Sequence, residues 1–97
     1  MSNLVMSFDE VTAQGNNIIT KAEDVTTLQQ WLTRLVNDEL PQMWQGSGYE
    51  GYATRVADMA PSFNAMYELI VDIGQGLIHN AEEYRDFDQT MGSSNGR

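Results

Sequence analysis

Apolar residues return along this chain in two runs, each with a helical spacing, and a short glycine-rich interval separates them. In the first run Val11, Ile18, Val25 and Leu32 recur every seven residues, and Leu28 and Leu35 occupy intervening d positions of the same heptads. Gln14 and Lys21 are weak d positions, so the early half of this stripe is narrow, and Ala22, Val36 and Met43 widen it along one flank. The start is marked three ways. Ser7 and Glu10 fit a capping box, Met6 and Val11 fit a hydrophobic staple around it, and Asp9 and Glu10 set negative charge at the positive end of the helix dipole. These signals predict a first helix over about residues 8–43, with its last turn weakened by Pro41.

Gly46 supplies a residue able to take the left-handed conformation that ends a helix, and Ser47 with Glu50 forms a second capping box. Stop and start signals are adjacent, so the predicted turn, residues 44–47, is very short, and a short turn between long helices makes an antiparallel hairpin. In the second run Tyr49, Val56, Phe63, Ile70, Leu77 and Tyr84 fall on a positions, and Tyr52, Met59, Met66, Ile73 and Phe87 on d. Asn80 breaks the d series and is expected as a buried polar residue that fixes register. A parallel row, Ala53, Ala60, Gly74 and Ala81, interrupted by Tyr67, is small enough for close backbone approach. The second helix is predicted over about residues 48–88, kinked rather than broken near Pro61, and the tail 89–97 lacks periodicity and is expected to be flexible.

Helices of roughly 35 and 40 residues are about 50 to 60 Å long, and side by side each has only one neighbour. Trp31, Leu40, Leu69 and Ile78 lie off the main seams, so apolar surface is left over. The all-α hairpin is therefore predicted to dimerise head to tail into a four-helix bundle, with Trp31, Ala53, Ala60, Tyr67 and Gly74 as interface candidates. Head-to-tail packing sets the turn of one hairpin beside the Tyr84 to Asp88 region of the other. That bears on Trp44, which sits among the helix breakers Pro41, Gly46, Gly48 and Gly51. A large apolar ring does not belong in a solvated turn, so its expected cover is the partner.

Composition narrows the function. Ninety-seven residues make one domain, and a net charge of −9, from fourteen acidic and five basic residues, disfavours nucleic acid and anionic membrane surfaces. Cysteine is absent, so disulfides and thiolate chemistry are excluded. The opening MSNLVMSFDE has neither a basic n-region nor an apolar h-region, and no apolar run approaches the roughly 20 residues of a membrane span. His79 and Glu83 are a surface pair one helical turn apart, too few ligands for zinc. The acidic neighbours Asp38-Glu39 and Glu82-Glu83 lack the cleft that paired carboxylates need for catalysis. No nucleophile with its base and no phosphate loop can be assembled, and Gly74-Gln75-Gly76 is read as a packing feature. The expectation is a non-enzyme with no cofactor, no metal and no small-molecule substrate.

The tripeptide Trp44-Gln45-Gly46, central between two long helices in a chain of about one hundred residues, resembles the WXG-hundred (early-secreted-antigen-like) family of type VII secretion substrates. A second element points the same way: Tyr84-Arg85-Asp86-Phe87-Asp88 is similar to the Tyr-x-x-x-Asp export signal of such substrates. Tyr84 and Asp88, four apart, share one helix face. Met6-Ser7-Phe8-Asp9-Glu10 and Met59-Ala60-Pro61 resemble the Gram-positive branch of the family. The resemblance implies a protein that folds in the cytoplasm, dimerises with itself or with a related WXG-family protein, and is exported folded, without a cleavable signal peptide. It also implies recognition by a membrane-anchored FtsK-like ATPase. Trp44 and Gly46 of one subunit, beside Tyr84 and Asp88 of the other, then form a composite signal, with Glu82, Glu83, Asp86 and Phe87 as candidate ATPase contacts. Tyr84 continues the a series and is also readable as core. Two other readings remain at this point, a secreted effector acting on host membranes or receptors and a cytosolic structural helical dimer.

Overall fold

The computed structural model describes residues 7–44, 46 and 48–95, with side chains as far as Phe87. Among them the secondary structure is entirely helical, with no strand. Helix α1 is Phe8–Arg34, a π-helical stretch Leu35–Glu39 follows, and α2 is Leu40–Met43. After the turn come α3, Tyr49–Asp58, and α4, Ala60–Asn95. The fold is a helical hairpin made of two compact units. A terminal unit joins α1 up to Thr20 with α4 from Ile70 onward, and a turn unit comprises Lys21–Leu69.

At the start of α1 the Glu10 N–H donates to Ser7 Oγ at 3.4 Å, one half of a capping box. Met6 of the expected staple and Ser47 of the second box lie outside the described residues. The π-helical stretch was not foreseen, and Pro41 explains it. Proline has no N–H to give, and its ring crowds the carbonyl four residues back, so the preceding turn widens by one residue. Leu40 N–H accordingly donates to Leu35 O, five residues back.

Pro61 acts differently from the kink expected in one continuous helix. The second run divides into α3 and α4 at Met59, whose N–H is shared between the Arg55 and Val56 carbonyls at 3.2 and 3.1 Å. Met59 keeps right-handed helical angles (φ −81°, ψ −10°), and the ladder resumes as Phe63 N–H donates to Met59 O at 3.0 Å. At the other end α4 continues to Asn95, beyond the boundary near 88 that the apolar pattern predicted. Extending a formed helix adds one hydrogen bond per residue and needs no apolar periodicity.

In the terminal unit three contacts fix the pairing. Phe8 meets Arg85, Gly15 meets Ile78, and Ile19 meets Gly74, so partners rise along α1 as they fall along α4. This is the antiparallel arrangement. The backbones approach closely, because a Cβ on Gly15 would fall 2.9 Å from Gly74 O, and one on Gly74 would fall 2.7 Å from Gly15 O. In the turn unit α3 packs against the π-helical stretch, and Val36 is buried there.

The core departs from the a/d seam that the heptads suggest. Buried residues are Gly15, Ala22, Val25 and Val36 before the turn and Phe63, Gly74 and Ala81 after it. Apart from Val25 and Phe63 these are the small-residue rows flanking the a stripes, and the a positions Val11, Ile18, Val56, Ile70 and Leu77 are half-buried. The d residues Leu28, Tyr52, Met59, Met66, Ile73 and Phe87 are exposed. Glycine and alanine at e let the backbones close on that edge, which swings the a/e face inward and turns d to the side. Asn80, a d residue, is exposed rather than buried. Gly74 was expected to face a second chain; it is buried against Ile19 and Gly15 of its own hairpin instead.

Candidate functional site

Two regions carry the sequence-derived site residues, one in each unit. In the turn unit, Trp44 leaves the helix with extended angles (φ −121°, ψ 111°), while its N–H still donates to Leu40 O at 2.9 Å. Gly46 has φ +106°, a region that L side chains rarely adopt, so the reversal needs glycine there.

The Trp44 ring has cover from its own turn. It lies over Gly48, where a Cβ would fall 2.8 Å from Trp44 Cζ2, and it meets the Tyr52 ring at 5.9 Å between centroids with planes inclined by 46°. The Arg55 guanidinium sits 5.7 Å from the Tyr52 centroid. Gly48, Gly51, Tyr52 and Arg55 line a small cavity of about 210 Å³ beside the tryptophan. Trp44 as a residue is still 40% exposed. The expectation that a single hairpin offers little cover at this point is thus corrected in part. Sequence reading missed Gly48, Tyr52 and Arg55 as companions of Trp44, because the reversal at Gly46 interrupts the helical spacing that would have linked them.

In the terminal unit, Tyr84 is 38% exposed and Phe87 65% exposed on α4. Ala81, three residues before Tyr84, is fully buried, so this part of α4 has one inward face and one outward face. Glu82 and Glu83 are exposed, and Glu83 Oε2 lies 3.4 Å from His79 Nε2 in a surface pair. Asp86 accepts from Arg85, its Oδ1 standing 3.2 Å from both Nε and Nη2. Asp88 is helical, but its side chain lies outside those described.

The dimer candidates divide. Trp31 and Tyr67 are exposed, Ala53 and Ala60 are half-buried in the small-residue row, and Gly74 is enclosed. The exposed large apolar residues of the turn unit include Leu28, Trp31 and Met43 before the turn and Tyr52, Met59, Met66, Tyr67 and Leu69 after it. Antiparallel helices that meet through the same heptad positions are related by a two-fold axis perpendicular to both, so their d stripes fall on one side of the pair. No group of three or more metal-binding side chains occurs among the described residues.

Residues 3–89 match the family model described as "WXG100: Proteins of 100 residues with WXG". Among curated proteins, Protein YukE of Bacillus subtilis (strain 168) is 28% identical over 83 residues, covering 86% of this chain and 84% of that protein. "Putative ESAT-6-like protein X" of Mycobacterium leprae (strain TN) is 27% identical over 94 residues, covering 97% of this chain and 98% of that protein. No solved structure gives a significant match.

Proposed function

This chain belongs to the WXG100 family, and we propose that it is a substrate or secretion partner of a type VII secretion system, working through protein–protein contact. The observation that carries this reading is the family match over residues 3–89. The Trp-x-Gly turn inside that match is built as a contact feature: a glycine at φ +106° reverses the chain, and a tryptophan is held against Tyr52 with two fifths of its surface open. The likeness to a protein named as ESAT-6-like accords with it.

The partner is a second copy of this chain or a related WXG protein. The exposed Leu28, Trp31, Met59, Met66 and Leu69 support that arrangement, since an apolar stripe on one side of a hairpin is stable in water when a second hairpin covers it. In the head-to-tail dimer Trp44 and Gly46 of one subunit lie beside Tyr84 and Asp88 of the other, and together they are read by a membrane-anchored FtsK-like ATPase. Glu82, Glu83 and Phe87 are exposed and accessible to that ATPase. The protein folds and dimerises before export and leaves the cell without a cleaved signal peptide.

Export of tagged protein into the medium tests the reading. Tyr84→Ala and Asp88→Ala are expected to abolish export while circular dichroism and dimer mass stay as in the parent. Unchanged export in both variants removes the proposed signal, and loss of folding in Tyr84→Ala assigns Tyr84 to the core.

A further inference from the structure

The stretch proposed as the export signal is fastened to the start of α1 by a contact that neither the heptads nor the Tyr-x-x-x-Asp pattern contains. The Arg85 guanidinium lies 4.3 Å from the centroid of the Phe8 ring, within the range of a cation–π pair. Phe8 is the first residue of α1 and half-buried, as is Arg85. Arg85 follows the enclosed Gly74 and Ala81 by eleven and four residues, so it continues the inward face of α4, and the described hairpin seam reaches an arginine–phenylalanine layer. Asp86 completes the arrangement. Its Oδ1 accepts from Nε and Nη2 of the same guanidinium at 3.2 Å and so restrains the group that lies over the ring.

We infer that Phe8, Arg85 and Asp86 form a latch, and that Arg85 is a positioning residue for the export signal. The inference rests on the reading of Tyr84 and Asp88 as that signal. An inward Arg85 fixes the rotation of α4 about its own axis, because successive residues are about 100° apart. With 85 held against α1, the helix face that carries 84 and 88 is set in a defined direction for a reader. Asp86, an ATPase-contact candidate in the sequence, is reassigned: its carboxylate orients Arg85.

The full-length chain tests this through export and through amide hydrogen exchange of residues 84–88, with thermal unfolding followed alongside. Phe8→Leu keeps apolar bulk and removes the ring face. It is expected to lower export and to speed exchange at 84–88 by about two- to fivefold, the size of an exposed cation–π contact. Phe8→Trp, with a stronger ring face, is expected to retain both. Arg85→Gln should match Phe8→Leu, and the double variant should be no worse than either single one, since the two residues act as a unit. Additive losses in the double variant, or parental export and exchange in Phe8→Leu, overturn the latch. Equal losses in Phe8→Leu and Phe8→Trp also overturn it, because they make bulk and not the cation–π contact decisive. Tyr84→Ala separates the two ideas. Parental export in Tyr84→Ala removes the signal reading on which the latch depends, whereas lost export in Tyr84→Ala with parental behaviour in Phe8→Leu removes the latch alone.

Discussion

At the scale of single residues, the turn is governed by two glycines with different duties. Gly46 is needed for its backbone, at φ +106° with open space around the missing Cβ. Gly48 is needed for its lack of a side chain, because Trp44 occupies the place of its Cβ. Gly46→Ala is expected to lower stability by about 1–2 kcal/mol through backbone strain alone, measured by chemical denaturation with Trp44 fluorescence unchanged in the folded state. Gly48→Ala is expected to leave the backbone unstrained but to displace the indole from Tyr52. Its folded-state fluorescence and near-ultraviolet dichroism should change even where the denaturation midpoint moves little. An unaltered spectrum in Gly48→Ala would show that the ring does not rest there. The same contacts explain how a tryptophan lives in a turn: glycine offers it a flat backbone surface, and Tyr52 offers a tilted ring.

At the scale of elements, the small-residue rows decide how the helices meet. Gly15 and Gly74 bring two backbones together where any side chain would collide with Ile78 or Ile19 and with main-chain oxygen. Gly15→Ala and Gly74→Ala are each expected to destabilise by about 1–3 kcal/mol, because the obstructing atoms include backbone that cannot swing aside. Gly76 is the control. It lies in the same helix two residues on with nothing within 4 Å of its Cβ position, so Gly76→Ala should stabilise, by up to about 1 kcal/mol from helix propensity. Thermal midpoints of the three variants settle the matter: the same sign at Gly74 and Gly76 would contradict the close crossing. The two prolines show that one chemical defect can be absorbed in two ways. Before Pro41 the helix widens into a π turn, and before Pro61 a shared hydrogen bond at Met59 divides the run into two helices.

At the scale of the whole molecule, an acidic chain with few enclosed side chains exposes a row of large apolar ones. Among the described residues no large side chain is fully buried, and the core is chiefly alanine, valine and a single phenylalanine. A domain of this size with so little enclosed needs a second surface. Sedimentation of purified protein is expected to give a dimer, or a monomer that gains stability only with a related WXG protein. Met66→Glu or Leu69→Glu should dissociate either assembly, since both residues are more than half exposed in the hairpin and neither contributes to its seam. A monomer that is fully helical and stable alone would contradict the arrangement. No helix among the described residues is long and apolar enough to cross a membrane.

The sequence by itself determined the all-helical hairpin and the place of its reversal. Period, caps and helix breakers are local properties, and in this chain they agree: the two runs stay in phase for many heptads, and Gly46 stands where the chain turns. Family membership was legible for the same reason, because Trp44-Gln45-Gly46 and its setting between two runs are features of the string itself. The heptads could not say which neighbour each stripe meets. Residues at a, d and e are mostly apolar or small here, and the choice between an a/d and an a/e seam depends on how closely two backbones pack. Only the tertiary structure decided that, at Gly15 and Gly74, where the missing Cβ atoms pull the e edges together and leave d in the open. The same holds for Phe8 and Arg85. Seventy-seven positions separate them, no local pattern links them, and they meet because antiparallel pairing brings the start of α1 to the turn of α4 that carries Arg85.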